Sequence, residues 1–338
     1  MLTRRLLLGS LAAGGALLAG GRASAAGPNA GGDPGNEHVA VRLGYVGTPC
    51  EAVTFAAPGG EPFRRHGLAA KLVPCADDAA LAAALEAGRV DAASMNLPAL
   101  MEPLEAGTGI RVVAGLHAGC LRVVAPEDFV LRTFGNLKGA SIATDRLNGP
   151  SMKLLSALLR RQGVDPKSDV SWHVYDPAAL EPALDAKTVD CVAAQDPLGY
   201  ALLADKKAVA FLNTADGGFT CGDGIGRGHH CFLALHAGLV DRRPQIAAAL
   251  TRAYVESSNA VGRGVGPWAL AEVRGRYVDA DMFETIGMLS SYDWHASTDL
   301  VLEEIELTAR DFRRAGLLKA ATDPERLADR AFADVLHS

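Results

Sequence analysis

LKGASIATDRLNGPSMKLLSALLRRQGVDPKSDVSWHVYDPAALEPALDAKTVDCVAAQDPLGY, residues 137–200, is the stretch whose reading decides the fold. Leu137-Lys138-Gly139 leads into a short apolar strand, Ser141 to Ala143. A loop breaks at Asn148-Gly149-Pro150, and a helix follows from Ser151 to about Gln162. Gly163-Val164-Asp165-Pro166 stops that helix, because Gly and Pro punctuate helical runs. Val170 to Val174 reads as a second strand, Ala178 to Asp185 as a helix and Thr188 to Ala193 as a third strand. Gln195-Asp196-Pro197 then opens another helix. Such alternation predicts an α/β fold with mostly parallel sheets.

Working outward, the same rhythm precedes this stretch. Val39 to Val46 is a strand that ends at Gly47-Thr48-Pro49-Cys50. Glu51 to His66 is a broken amphipathic helix closed by Gly67, and Leu68 to Pro74 is a strand. Asp77 to Gly88 is helical, Val90 to Ser94 a strand, and Met95-Asn96-Leu97-Pro98 starts a helix ending near Gly107. Ile110 to Leu116 and Leu121 to Ala125 are strands interrupted at His117-Ala118-Gly119-Cys120. After Phe232 the strand signal fades, with helices from Pro244 to about Gly262 and from about Thr298 to Leu317.

The ordered run from Leu137 to Tyr200 closely resembles the solute-binding proteins of ABC importers in the nitrate/sulfonate/taurine class, also described as thiamine-precursor-like. The resemblance implies a type II periplasmic-binding-protein fold with two lobes. Lobe one would comprise 38–124 plus the returning 232–338, and lobe two 125–231, with crossings near Val123–Ala125 and His230–Leu233. It further implies a small-molecule ligand in the interlobe cleft and an ABC permease in the inner membrane as partner, with the binding protein itself a monomer. Clefts at the carboxyl ends of strands are where α/β folds bind ligands.

The N-terminus carries an address. Thr3-Arg4-Arg5-Leu6-Leu7-Leu8 is a partial twin-arginine pattern, and Ala23-Ser24-Ala25 offers small residues for cleavage. The apolar run is too short and glycine-broken for a membrane span of about 20 residues. Residues 1–25 are therefore expected to be an export signal and 26–37 a disordered linker, which places the protein in the periplasm. Removing the signal takes three arginines and no acids, so the net charge of -6 becomes -9. An acidic chain without a Lys/Arg block excludes nucleic acid and anionic lipid as partners. With aromatics at only 6%, there is little from which to build stacking platforms for single strands or sugars.

Candidate ligand contacts cluster at the helix starts. Gly149-Pro150-Ser151 opens a helix, with Ser151 as a cap, and free N–H groups there can hold nitrate, a carboxylate or a sulfonate without any cation. Arg146 and Lys153 border this start. The same logic applies to Thr48 and Pro49 and to Asn96. His117, Gly119 and Cys120 form a small turn at a strand end, where the resemblance implies ligand contact. Gln195-Asp196-Pro197 matches the family's Asp-Pro, although an N-cap with Pro in the first turn is the favoured reading of Asp196 itself. Gln195 stands where many relatives carry an aromatic, which points to a more polar ligand. His229 belongs to a Gly-rich loop, 222–231, at the expected cleft mouth.

Six cysteines allow 15 full pairings, and the sequence alone does not choose among them. Cys221 and Cys231 flank the Gly-rich loop and are the expected pair, and Cys191 reads as a buried thiol. His229, His230 and Cys231, with His117 and Cys120, are metal-ligating types, but their spacing fits no standard site. The expectation is no metal and no cofactor. Two alternatives differ in class. Cys50 occupies the place of the cysteine nucleophile in a desulfinase of similar fold, with His117 as its partner. The same lobe pair can also serve as a ligand sensor.

Overall fold

A computed structural model describes residues 38–129, 133–203, 208–216 and 228–337. The expected signal and linker lie outside the described residues, as do Cys221 and the glycine-rich loop up to Arg227. Four strands come first: β1 (Val39–Tyr45), β2 (Leu68–Pro74), β3 (Ala92–Asn96) and β4 (Ile110–Ala118). The helices α1 (Ala52–Ala56), α2 (Glu61–Arg65), α3 (Asp78–Glu86) and α4 (Leu97–Ala106) connect them. The chain then builds β5 (Leu121–Pro126), β6 (Ser141–Thr144), β7 (Ser171–Val174), β8 (Cys191–Gln195) and β9 (Ala208–Asn213). With these go α5 (Pro150–Arg161), α6 (Pro177–Asp185) and α7 (Leu198–Ala201). The last part carries β10 (Cys231–His236) and β11 (Asp293–Ser297). Around them lie α8 (Ala237–Arg242), α9 (Pro244–Val261), α10 (Gly266–Gly275), α11 (Met282–Ser290), α12 (Val301–Arg314) and α13 (Pro324–Ala331).

The strands form two sheets, ordered β11-β4-β10-β3-β1-β2 and β7-β6-β8-β5-β9. The two-lobed α/β architecture is thus as the sequence reads. Within it both sheets are mixed. Helix-connected neighbours such as β1–β2, β1–β3, β6–β7 and β6–β8 run parallel, because a helix must carry the chain back to the same end. The strands that cross between sheets run antiparallel: β5 against β8 and β9, and β10 against β3 and β4.

Sequence explains the central positions. Cys231 to Leu235 is an unbroken buried run, as expected of a strand covered on both faces, and it lies between β3 and β4. Helix α5 starts with Pro150 in its first turn and buries Leu154, Leu155, Leu158 and Leu159, spaced for one face. Each such leucine contributes about 1.5–3 kcal/mol. Arg160 and Arg161 end it where the helix dipole favours cations. Leu155→Asp would place an unpaired charge in this face and break its docking. One hydrophobic cluster runs from Val113 and Leu116 in the first sheet through Leu121 and Val123 to Leu154 on α5.

Several boundaries differ from the sequence reading. Strand β5 pairs wholly within the second sheet, so the first crossing falls at Gly119–Cys120, ahead of Val123–Ala125. On the return path Thr214 still bonds to Leu121, and β10 begins at Cys231. Strand β3 starts at Ala92, because the Arg89 and Val90 amides fold back onto Ala84. Strand β4 continues through His117 and Ala118. Strand β11 is short and half polar, and it went unread after Phe232.

Candidate functional site

The first crossing collects thiols. Cys50 comes from the 3-10 turn Pro49–Glu51 after β1, Cys120 from the crossing itself and Cys231 from the start of β10. All three are buried. Cys120 Sγ lies 3.2 Å from Cys231 Sγ. The Cys50 and Cys231 sulfurs and a ring nitrogen of His117 all lie within 4.8 Å of one another. Strand pairing explains the meeting, since β10 and β4 place Cys231 opposite His117. Cys231 thus neighbours Cys120, while Cys221, its expected partner, lies outside the described residues.

His117 is held between rings. Tyr292 stacks on it at 5.3 Å and Trp294 lies 4.3 Å away. Its Nε2 is 3.2 Å from the Cys50 carbonyl and its Nδ1 3.4 Å from the Ala118 carbonyl. A neutral imidazole has one N–H, so one nitrogen presents a lone pair to a carbonyl oxygen. The thiols share charge unequally. Hydrogen bonds from Cys231 and Cys50 push the Cys120 thiol down to about 5. Their contact with Cys120 in turn pushes Cys231 and Cys50 up.

Arg122 on β5 is the residue the sequence reading missed. Its Nε and Nη2 grip Asp196 at 2.8 Å each, with both side chains buried, and Nη2 also donates to Ser291 at 2.7 Å. Asp196 is consequently not an N-cap: α7 begins after Pro197, and the carboxylate faces Arg122. Burial raises its pKa and Arg122 works against that rise. An arginine inside an apolar Leu121–Ala125 strand was the available signal. Gln195 is half-buried and pairs with Leu121.

The expected anion cradles are largely occupied by the chain itself. Val46, Gly47 and Thr48 donate their amides to the Glu51 carboxylate at 2.8–3.2 Å, and the Thr48 hydroxyl contacts Cys50 Sγ at 3.0 Å. Burial pushes Glu51 up to about 8, with these donors pulling the other way. Thr48 and Pro49 thus present no free amide cradle. Asn96 caps α4, its side chain accepting from the Ala99 amide at 2.9 Å. Gly119 donates to Thr214 Oγ1 at 3.1 Å, as does Leu121 at 3.2 Å, so its amide is taken as well. Its φ of 124° and a Tyr292 carbon 2.9 Å from where a Cβ would sit make Gly the residue that fits.

The α5 start differs. Gly149, not Ser151, is the N-cap, and Ser151 is buried in the first turn without a side-chain cap bond. Gly149 and Pro150 line a cavity of about 250 Å³ that also touches Asp77, Asp78, Glu102, Arg146 and Lys153. Arg146 pairs with Asp78 at 3.4 Å and Lys153 with Glu102 at 2.9 Å, so charges from the second sheet's side meet acids from α3 and α4.

His229 is also structural. Its amide donates to Glu304 at 2.6 Å, its Nδ1 faces the same carboxylate at 3.0 Å and its Nε2 faces the His295 carbonyl at 2.9 Å. A buried carboxylate at one ring nitrogen and a carbonyl at the other fix this ring as part of the fold. Burial works against the charged ring, but Glu304 outweighs it and the His229 pKa is raised. Gly115 makes room, since a Cβ there would lie 2.2 Å from the ring. Burial drives His230 down to about 3, so it is neutral. Of the metal-ligating residue types noted in the sequence, His229 and His230 stand apart from the thiols and Cys50 joins them.

The sequence profile of the NMT1-like family matches residues 34–264. The chain belongs to the NMT1-like family. Solved structures agree on the fold. The alkanesulfonate-binding protein SsuA from Xanthomonas axonopodis pv. citri, bound to MOPS, superposes with a TM-score of 0.66 at 19% identity, over 88% of this chain and 99% of that one. The periplasmic nitrate-binding protein NrtA from Synechocystis PCC 6803 gives 0.67 at 14%, over 89% and 87%. The ligand-binding component of an ABC-type import system from Staphylococcus aureus with zinc bound gives 0.65 at 16%, over 88% and 97%. No curated protein sequence matches. No helix among the described residues of this NMT1-like chain is long and apolar enough to cross a membrane.

Proposed function

We propose that this chain is the exported substrate-binding component of an ABC importer, working in the periplasm as a monomer. It captures a small ligand between its two sheets and delivers it to an inner-membrane permease. The observation that carries this reading is the junction itself. A buried polar cluster of Cys50, His117, Cys120, Arg122, Asp196 and Cys231 draws on both sheets, and the Arg146–Asp78 and Lys153–Glu102 pairs span the cleft. A ligand touching both sides stabilises the closed form by its differential affinity, and closure is the shape a permease reads.

The site residues are proposed as the thiols, His117 and the Arg122–Asp196 pair, with Gly149 and Pro150 at the cleft. Against a cysteine nucleophile stands the Cys50 thiol, raised by its contact with Cys120 and by burial, which leaves little thiolate for attack. The sensor reading differs only in the docking partner. Small-angle scattering of the mature protein with nitrate, sulfonates, pyrimidines and metal ions tests the binder. Compaction with one ligand and no turnover is expected. No compaction with any of them, together with product formed from an aryl sulfinate, would overturn it.

A further inference from the structure

Three thiols and an imidazole form a buried soft-ligand set around the first crossing between the sheets, and we propose that Cys50, Cys120, Cys231 and His117 bind a thiophilic d10 cation, Zn²⁺ or Cu⁺, as cargo. This rests on the substrate-binding reading above and names its ligand class.

The donor set decides the chemistry. Soft thiolates with one imidazole select zinc or copper(I) over oxygen-loving ions such as magnesium or calcium. Ligand atoms of Cys50, His117 and Cys231 lie within 4.8 Å of one another, and Cys120 adjoins Cys231. Tetrahedral bonds of about 2.3 Å to sulfur separate two sulfurs by roughly 3.8 Å. Cys120 and Cys231 stand at 3.2 Å, so an outward shift of about half an ångström admits the ion. Both ring nitrogens of His117 face carbonyl oxygens, so loading requires the ring to give up one of them: the nitrogen that keeps its carbonyl donates and orients the ring, and the other takes the ion. The surroundings disfavour an anion. Arg122, the buried cation beside the thiols, is gripped by Asp196. Nearby Glu51 holds the amides of residues 46–48, and both carboxyl oxygens of buried Glu272 lack hydrogen-bond partners. Binding releases to solvent the protons that the thiols still carry.

The test uses the mature full-length protein, reduced and metal-free under anaerobic conditions. Cobalt(II) serves as the optical probe, then Zn²⁺ and Cu⁺ compete against chromophoric chelators. One equivalent of cobalt with an intense sulfur-to-metal charge-transfer band is expected, displaced by zinc. Cys120→Ser and Cys231→Ser should each weaken binding by at least about a hundredfold. Cys75→Ser, remote from the cluster, should bind as wild type. X-ray absorption of the zinc-loaded wild type needs no variant: three sulfurs at about 2.3 Å and one nitrogen at about 2.0 Å are expected. One sulfur or none, no charge-transfer band, or equal affinity in the Cys120 and Cys231 variants would overturn the assignment. A Cys120–Cys231 disulfide in the exported protein that persists beside a metal-free Cys50 would overturn it too. If the protein takes no metal but compacts with a sulfonate or nitrate, the metal assignment fails alone. If it compacts with nothing, the substrate-binding reading fails with it.

Discussion

The junction between the sheets and the α10 wall of the first sheet both bury carboxyl groups, and they manage them in opposite ways. At the junction, Asp196 is bonded by Arg122 at both oxygens, and Glu304 receives the amide and ring of His229. On α10, Glu272 is fully buried and its two oxygens have no hydrogen-bond partner. Burial pushes Glu272 up to about 10, so it is stored as a neutral acid. The difference teaches where this protein keeps charge. It pairs buried carboxylates with cations where the sheets meet, and leaves one unpaired and neutral where a helix packs.

Removing one partner at the junction should cost most. Arg122→Met leaves Asp196 buried and unpaired, and a loss of about 3–5 kcal/mol is expected from urea midpoints. An unchanged midpoint would erase the contrast. Glu272→Gln acts with the opposite sign. A folded pKa raised above the ordinary carboxyl value gives stability that is complete below about 4.5 and is lost as pH rises toward 10. The glutamine variant keeps the neutral group's shape and does not titrate. It should gain on the order of 3 kcal/mol over wild type at pH 7 and lose the slope, as read from midpoints across pH 5–9.

Glu304→Gln is next, at about 1–3 kcal/mol. The raised His229 pKa means that its contribution is complete below about 6.5 and fades as pH climbs through the folded value. The variant should lose that part of the pH dependence. Retention of the full slope would assign it to another group. Lys153→Met breaks a cleft-spanning pair whose acid is 59% exposed, so less than about 1 kcal/mol of stability is expected. Its readout is shape: the scattering radius without ligand should rise.

Local signals made most of the fold readable. Pro150 and the Gly163-Val164-Asp165-Pro166 stop place α5 within a residue, and the apolar run of Leu68–Pro74 coincides with β2. Strand β11 escaped because Asp293–Ser297 is five residues with charge and imidazole in it, and only pairing with β4 makes it a strand. The residues of the candidate site were legible in part. Cys50, His117, Cys120 and Asp196 were singled out from their places at strand ends. What they touch was not legible, because Arg122–Asp196 joins residues 74 apart and Cys120–Cys231 residues 111 apart. The cradles misled for a physical reason. A Gly-Thr-Pro turn advertises free amides, and Glu51 is near enough in sequence to claim them first.

Cys120 lies in the first crossing and Cys231 opens β10, so in the proposed binder whatever lodges between them occupies the pivot and not the mouth. Its residence time is then set by how readily the pivot yields. A passenger seated there would stay aboard through many openings of the outer edges and disembark when a docked partner prises the linking strands apart.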